Sequence, residues 1–329
     1  MGREMRLGKS KPAETSAQTR LSGSFVQAAS KRSRIRMLRF WAILLLALVI
    51  ASWALLPVPR VVGLIANNGH RAALAPPGDL PVQEVHFQAT DGVRLAGWLV
   101  VASANAPTLI LVHGSRGTRT DMLPWARFLF AAAYNVLLYD SRGCGESEGW
   151  GIALGTREPD DVVGAVHFLQ QRADLHTKRF GALGISLGAG VVLLAAARES
   201  ALVATVADSA WADTSAQINW MNSISRPPFT LPLLPYGPAL ADALVGGDVA
   251  ATRPVDVIGQ IAPRAVMLIH SVDDQNATTP LSGERRLYAA ASQPKEQWIA
   301  PHGGHVGALD AYPQEYKQHV LAFFARYLG

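Results

Sequence analysis

The centre of the chain reads GISLG over residues 184–188, between an apolar segment and an alanine-rich one. Residues 179–183 are typical of a buried strand, and residues 189–197 are typical of a helix. A strand, a G-x-S-x-G turn and a helix form the nucleophile elbow, which holds a serine hydroxyl at a helix N-terminus. The pattern therefore predicts that Ser186 is a nucleophile and that the Leu187 N–H is free to face a developing oxyanion.

A serine nucleophile requires a base to take its proton and a third group to orient that base. In a fold with a nucleophile elbow, these groups follow in the chain order serine, acid, histidine. Two acids, Asp273 and Asp274, follow one predicted strand, and two histidines, His302 and His305, follow the next. Because catalytic groups collect at the carboxyl ends of strands in open α/β sheets, both segments are candidates to complete a site around Ser186.

Segments typical of strands and helices alternate along the chain from residue 82 onward. The turn at residues 90–92, Thr-Asp-Gly, predicts a hairpin between two strands. The apolar runs over residues 108–112 and 135–139 are typical of strands buried on both faces. The alternation predicts an α/β fold with a mostly parallel eight-stranded sheet flanked by helices. The remaining strand patterns lie at residues 203–206, 265–269 and 296–299, and the helical patterns at 121–133, 160–171 and 312–328.

The segment at residues 209–261 interrupts this alternation. A connection of this length is predicted to be either a lid over the site or a packed surface excursion. If it is a lid, its apolar side chains suit the lining of an acyl channel. Those side chains are Trp211, Trp220, Met221, Phe229 and residues 231–234.

The N-terminal part of the chain is basic and then strongly apolar. Residues 1–39 carry ten Lys or Arg and two Glu, a net charge of +8, so the rest of the chain sums to −3. Residues 40–56 form an uncharged apolar run of 17 residues with a tryptophan near each end, which is the short limit for a transmembrane helix. A cleaved signal peptide is the alternative, but the long segment before the run favours an uncleaved anchor.

These features predict four parts of the chain. They are a basic disordered tail at residues 1–39, a transmembrane anchor at 40–56, a proline-rich linker at 57–81 and a catalytic domain at 82–329. Since positive charge before a span stays in the cytoplasm, the catalytic domain is predicted to lie on the non-cytoplasmic side.

Composition excludes several other classes of protein. A basic tail on a mildly acidic domain favours a membrane surface over nucleic acid as a partner. The single cysteine, Cys144, excludes an internal disulfide and a multi-cysteine metal site. No H-E-x-x-H motif accompanies the two C-terminal histidines, so neither a metal nor any other cofactor is expected.

Four motifs between residue 80 and the C-terminus resemble those of the α/β-hydrolase superfamily. Residues 111–115 (LVHGS) are similar to the H-G-x oxyanion loop, and residues 140–147 (DSRGCGES) resemble the D-x-R-G-x-G-x-S turn. Residues 269–274 resemble the H-G-x-x-D segment that carries the acid, and residues 304–305 resemble the G-H that carries the base. The closest resemblance within the superfamily is to the lysophospholipase, monoglyceride-lipase and acyl-thioesterase-like group, which often bears a membrane anchor.

The resemblance implies a role for each candidate residue. Ser186 would be the nucleophile, His305 the base and Asp274 the acid that orients it. The oxyanion hole would consist of the backbone N–H groups of Ser115 and Leu187. The acid loop departs from the family pattern, with Ser271 in place of glycine and a longer segment before the proline, so Asp273 stays an alternative acid.

Together these patterns predict a serine hydrolase that cleaves carboxylic esters or thioesters through an acyl-enzyme. The expected substrate has an apolar acyl group, and membrane lipid is the expected partner through the anchor. A peptidase of the same fold is the alternative enzyme. A binding protein that kept the scaffold without its catalysis is the alternative from another class, although the occupied serine, acid and histidine positions argue against it.

Overall fold

A mostly parallel β-sheet forms the centre of the structure, a computed structural model that describes residues 15–66, 74–176, 179–226 and 228–328. Within those residues the chain forms ten strands, eight of them in one sheet and two in a separate hairpin. In chain order the strands are β1 (Val82–Gln88), β2 (Arg94–Val100), β3 (Thr108–Val112), β4 (Asn135–Tyr139), β5 (Phe180–Ile185), β6 (Leu202–Asp208), β7 (Ser223–Arg226), β8 (Phe229–Pro232), β9 (Ala265–Ser271) and β10 (Lys295–Ala300).

The order of strands across the large sheet is β1-β2-β4-β3-β5-β6-β9-β10. Strand β2 runs antiparallel to both of its neighbours, whereas every pairing from β4 across to β10 is parallel. The carboxyl ends of these six parallel strands therefore open on the same edge of the sheet, which is where side chains from distant parts of the sequence can meet.

Helices cover both faces of the sheet. Along β3, Ile110 and Val112 pack into a core on one face of the sheet, and Leu109 and Leu111 pack into a core on the other face. This alternation explains why the strand reads as a continuous apolar run. In chain order the helices are α1 (Thr15–Leu55), α2 (Pro57–Ile65), α3 (Leu123–Ala131), α4 (Glu158–Gln171), α5 (Leu187–Arg198), α6 (Ser215–Asn222), α7 (Gly237–Val245), α8 (Pro254–Val257), α9 (Leu281–Ala290), α10 (Ala308–Ala311) and α11 (Pro313–Leu328).

The predicted fold class is confirmed. The predicted hairpin forms between β1 and β2, and the predicted strands at residues 108–112 and 135–139 have the observed bounds of β3 and β4. Strands β5, β6, β9 and β10 extend one or two residues beyond the carboxyl ends of their apolar runs, because ladder hydrogen bonding continues to the carboxyl edge of the sheet. Asp208 at the end of β6 and Ser271 at the end of β9 are examples.

The N-terminal region differs from its prediction. Helix α1 begins at Thr15, so the prediction of a disordered tail over residues 1–39 is wrong from Thr15 onward, and residues 1–14 lie outside the described part of the chain. Once the apolar run has nucleated a helix, each added residue gains a hydrogen bond, and Arg, Lys, Gln and Ala extend it readily. Of the described residues, Ser30–Ile65 is the segment long and apolar enough to cross a membrane, as an anchor or a signal sequence would be.

The first part of the predicted linker is a helix. Residues 57–65 form α2, with Val61 and Ile65 fully buried beside Ile152 and Met221. Prolines are tolerated in the first turn of a helix, and the valine and isoleucine four residues apart supply one apolar face. The linker prediction is therefore wrong over this stretch, and the chain divides into two compact units between α1 and α2.

The long connection at residues 209–261 folds into α6, the β7–β8 hairpin, α7 and α8. Trp211 and Met221 are buried in the structure, and the Trp211 indole N–H donates to the Leu187 carbonyl at 3.1 Å. These two side chains therefore serve packing, in contrast to the expectation that they line an acyl channel. Trp220, Phe229 and Leu231 are exposed, and Phe229 keeps 77% of its surface accessible. Closure of this segment over the site stays a prediction.

Candidate active site

Ser186 lies in a strained turn between β5 and α5. Its φ of 53° and ψ of −117° are rare for a residue other than glycine and are tolerated only where the surrounding structure enforces them. A Cβ on Gly184 would lie 2.2 Å from the Gly188 carbonyl oxygen, and a Cβ on Gly188 would lie 2.4 Å from that of Val112. Both flanking glycines are therefore required by close backbone approach, which is the physical content of the G-x-S-x-G pattern.

His305 and Asp274 complete a continuous hydrogen-bonded line with Ser186. The distance from Ser186 Oγ to His305 Nε2 is 2.8 Å, and that from His305 Nδ1 to Asp274 Oδ2 is 2.9 Å. An ionised carboxylate only accepts hydrogen bonds, so Nδ1 carries the proton and Nε2 is left to accept the serine hydroxyl. In this arrangement the imidazole is ready to receive the serine proton.

Asp273 and His302, the alternative acid and base, lie outside this hydrogen-bonded line. Asp273 is exposed, and its Oδ1 accepts the backbone N–H of Gly304 at 2.8 Å. This contact holds the loop in front of His305 without reaching the imidazole. His302 is exposed on the same loop. Of the four candidates, the structure thus brings Asp274 and His305 to the serine.

Sequence reasoning missed three residues that lie against Asp274. Thr279 Oγ1 lies 3.2 Å from both Asp274 Oδ2 and His305 Nδ1, so its hydroxyl bridges the acid and the base. The backbone N–H of Asn276 donates to Asp274 Oδ1 at 2.8 Å, and the imidazole of His270 lies 3.4 Å from Oδ2. The available sequence signal was the longer segment between the acid and the proline, because this segment contains Thr279, whose hydroxyl contacts the Asp274 carboxylate.

The predicted oxyanion groups belong to two segments that adjoin the serine, the start of α5 and the loop after β3. Leu187 is the first residue of α5, so its N–H has no acceptor within the helix. Ser115 follows Gly114, where an added Cβ would lie 3.3 Å from the Cβ of Ser186. The loop after β3 therefore passes directly against the elbow, as an oxyanion loop must.

His113 holds that loop in one orientation. Its Nε2 accepts the backbone N–H of Ser141 at 3.0 Å, so the proton is on Nδ1, which donates to the Gly114 carbonyl at 2.7 Å. Burial lowers the pKa of His113, which keeps the ring neutral and this pattern intact. Since the carbonyl and N–H of a trans peptide point in opposite directions, the bond to Gly114 also sets the direction of the Ser115 N–H.

The turn after β4 is cross-linked by buried ion pairs. The Arg142 guanidinium contacts Asp91 at 2.7 Å and Asp161 at 2.6 Å, and Arg119 contacts Asp140 at 2.7 Å. Burial raises the pKa of Asp161 to about 7, against the lowering effect of Arg142. These pairs fix the loop that carries Ser141, the partner of His113. Among the described residues, no group of three or more His, Cys, Asp or Glu side chains is placed to hold a metal ion.

Known proteins with similar sequences or structures include hydrolases. Residues 91–241, which contain the elbow, match the sequence pattern of the X-Pro dipeptidyl-peptidase (S15 family). The protein YfhR of Salmonella typhimurium is 27% identical over 264 residues, covering 75% of this chain and 82% of YfhR. The thiohydrolase aneE of Aspergillus aculeatus is 34% identical over 120 residues, which cover 34% of this chain and 36% of aneE.

The fold is shared with a solved esterase over that enzyme's full length. The Pyrococcus furiosus esterase Pf2001 superposes with a TM-score of 0.64 at 22% sequence identity, covering 80% of this chain and 99% of the esterase. With this sheet and a serine in the strained turn after β5, the chain has the α/β-hydrolase fold.

Proposed function

We propose that this protein is a serine hydrolase that cleaves carboxylic esters or thioesters with an apolar acyl group. The observation that carries the proposal is the line from Ser186 Oγ through His305 to Asp274, with donor–acceptor distances of 2.8 and 2.9 Å. Serine, imidazole and carboxylate in this order convert a weak nucleophile into an effective one.

The geometry supports a two-stage reaction. His305 Nε2 takes the Ser186 proton as Oγ attacks the acyl carbon, and the resulting oxyanion accepts the N–H groups of Leu187 and Ser115. His305 then gives its proton to the leaving alcohol or thiol, which leaves an acyl-enzyme. In the second stage, His305 activates a water that releases the acid. Asp274 keeps the imidazole in the required tautomer throughout.

Several observations support the substrate class and the location. The names of aneE and Pf2001 describe a thiohydrolase and an esterase, and this chain resembles both. The exposed apolar side chains of residues 220–231 would suit contact with an acyl chain or a lipid surface. We place the protein at a membrane through α1, with membrane lipid as its partner and the catalytic domain on the non-cytoplasmic side.

A peptidase is the second candidate function. The match to the X-Pro dipeptidyl-peptidase pattern favours it, but the matched residues 91–241 include Ser186 and exclude both Asp274 and His305. The shared part is thus the elbow and its surroundings, which esterases and peptidases of one fold can have in common.

A substrate series separates the two candidates. Full-length protein in detergent micelles would be assayed with p-nitrophenyl esters from acetyl to octanoyl, a matched thioester, and an X-Pro aminoacyl amide. We expect kcat/KM to rise with acyl length, by up to about 0.8 kcal/mol per buried methylene, and Ser186→Ala to abolish turnover. A flat ester series would contradict an apolar acyl pocket. Faster cleavage of the amide than of every ester would establish the peptidase.

A further inference from the structure

We propose that Asp208 is a positioning residue for the base, tethering the loop that carries His305. The inference rests on the proposed hydrolase function, since it concerns how His305 is held. Asp208 ends β6, is fully buried, and directly precedes the segment that packs against the C-terminal loops.

Two short hydrogen-bonded chains converge on this carboxylate. On one side, the Val306 N–H donates to Ser209 Oγ at 3.1 Å, and the Ser209 hydroxyl lies 3.0 Å from Asp208 Oδ1. On the other side, the Trp125 indole N–H donates to Tyr316 Oη at 2.8 Å, and the Tyr316 hydroxyl lies 2.9 Å from Asp208 Oδ2.

The direction of both chains is set by their outer ends. A backbone N–H and an indole N–H can only donate, so the hydroxyls of Ser209 and Tyr316 each accept there and pass their own proton toward Asp208. Both carboxylate oxygens therefore accept hydrogen bonds, which is the pattern of an ionised acid. Burial raises the pKa of Asp208 to about 6, with the Tyr316 and Ser209 bonds opposing it, so the group is charged at neutral pH.

Both residues of the Ser209–Val306 hydrogen bond have strained backbones, which indicates that the surrounding structure holds them in place. Ser209 and Val306 both have positive φ values, 56° and 62°, although neither is a glycine. Such conformations persist only where the surroundings over-determine them, and they are concentrated at functional sites. The Ser209–Val306 contact joins these two strained residues, and Val306 is the residue directly after His305.

Other charged and titratable groups surround the Asp208 carboxylate. Charged and titratable groups near it are His305 and Asp274, which interact electrostatically with Asp208, and Glu284 of α9, which Asp208 affects in turn. Tyr316 stays protonated because burial raises its pKa well above its usual value. Also around His305 lie His270, beside Asp274, and the exposed pair Asp273 and His302. Among these groups, Asp208 and Asp274 are buried acids in which both carboxylate oxygens accept hydrogen bonds.

The test measures hydrolysis of one p-nitrophenyl ester at pH 8 by full-length protein in detergent, with kcat and KM determined separately. Asp208→Asn is expected to lower kcat by about 10- to 100-fold, because a slightly misplaced imidazole is costly. KM should change by less than about threefold, since the imidazole acts on the transition state and not on ground-state binding. Ser209→Ala cuts the tether but keeps the carboxylate, so it should lower kcat in the same way.

Two further variants exclude indirect effects. Thr205→Val is the matched control, because it removes a buried hydroxyl from the same strand that makes no hydrogen bond among the described residues, and it should behave as wild type. Glu284→Gln should leave kcat at the wild-type value, which assigns the loss to Asp208.

Asp208→Asn with kcat within about twofold of wild type would overturn the proposal. If that variant does not fold, Ser209→Ala decides, and wild-type kcat there would overturn the tether. Failure of the proposed function is distinguishable, because it would appear as a wild-type protein that neither hydrolyses esters nor is labelled at Ser186 by a fluorophosphonate.

Discussion

At the scale of single residues, the candidate site is defined by which hydrogen-bonding partner each side chain reaches. Asp273 and Asp274 are adjacent in sequence and have the same chemistry. One is exposed and accepts the N–H of Gly304, while the other is buried and contacts His305. Because neighbouring side chains in this loop point in different directions, Asp273 forms a contact within the loops, whereas Asp274 becomes the partner of His305.

This difference predicts unequal effects of the two isosteric amides. Asp274→Asn should reduce kcat by about 10⁴-fold with the fold intact, because an asparagine no longer selects the tautomer in which Nε2 is free to accept a proton. Asp273→Asn should cost less than about tenfold, since it weakens only the contact to the loop before His305. Steady-state kinetics and circular dichroism of both variants check this. The reverse ranking would identify Asp273 as the acid.

His113 gives a second prediction at this scale. Replacing it by alanine removes the bonds that orient the Gly114–Ser115 peptide, so an oxyanion donor should lose its fixed direction. We expect kcat to fall by about 10²-fold with KM little changed, because an oxyanion hole acts on the transition state. A variant with normal kcat and a raised KM would instead place His113 in ground-state binding.

At the scale of secondary-structure elements, α2 and α9 show that the domain depends on contacts remote from the serine. Helix α2 covers a cluster that includes Ile152, Met221 and Val249, and thereby supports the long connection at residues 209–261. Helix α9 buries Glu284, whose Oε1 accepts Gln297 at 2.7 Å and whose Oε2 has no partner among the described residues.

Two adjacent valines in α2 provide a matched test. Val61 is fully buried and Val62 is exposed, so the same truncation to alanine should have different costs. Val61→Ala should lower the free energy of unfolding by about 1–3 kcal/mol, from lost apolar burial and a residual cavity. Val62→Ala should change it by less than about 0.5 kcal/mol. Equal urea midpoints for the two variants would contradict the packing of α2. A soluble fragment should accordingly begin before Pro57.

Glu284 predicts a pH dependence of stability. Burial raises its pKa to about 7, so the folded state holds the proton where the unfolded state, with its ordinary carboxyl, has released it. With respect to Glu284, the folded state therefore has its full stability below about pH 4.5, and it loses stability as pH rises through about 7. Glu284→Gln removes the titration. Its free energy of unfolding relative to wild type should therefore improve by up to about 3 kcal/mol between pH 4.5 and pH 8, measured by urea unfolding.

At the scale of the whole molecule, charge and hydropathy are distributed unevenly along the chain. The net charge of +8 on residues 1–39 precedes the segment that is long and apolar enough to cross a membrane, and the remaining chain is mildly acidic. Positive flanks stay on the cytoplasmic side, so this asymmetry predicts where the catalytic domain resides.

The topology can be measured in intact cells or spheroplasts. Protease added outside should digest the domain after Pro57, while a tag placed at the N-terminus should be protected. Protection of the domain in intact spheroplasts, with digestion after lysis, would reverse the assigned orientation. Recovery of a chain shortened at its N-terminus would instead indicate a cleaved signal peptide.

The sequence alone determined the sheet, the elbow and the order of the serine, acid and histidine loops. These features rest on local patterns, because apolar periodicity and the glycine requirement of a tight turn are properties of neighbouring residues. The same locality explains the errors in the N-terminal region. The prolines of residues 57–65 indicated a linker, whereas burial of one helical face against distant side chains decided the observed structure.

The tertiary structure decided which side chains meet. Asp274 was separated from Asp273, and Thr279, His113 and Asp208 were brought to the site, by the paths of loops that leave different strands. Contacts of this kind join residues as far apart as Ser186 and His305, which are 119 positions apart, and no local pattern encodes where such loops converge. The carboxyl edge of a parallel sheet supplies that convergence, because it collects the ends of strands that are remote in sequence into one place.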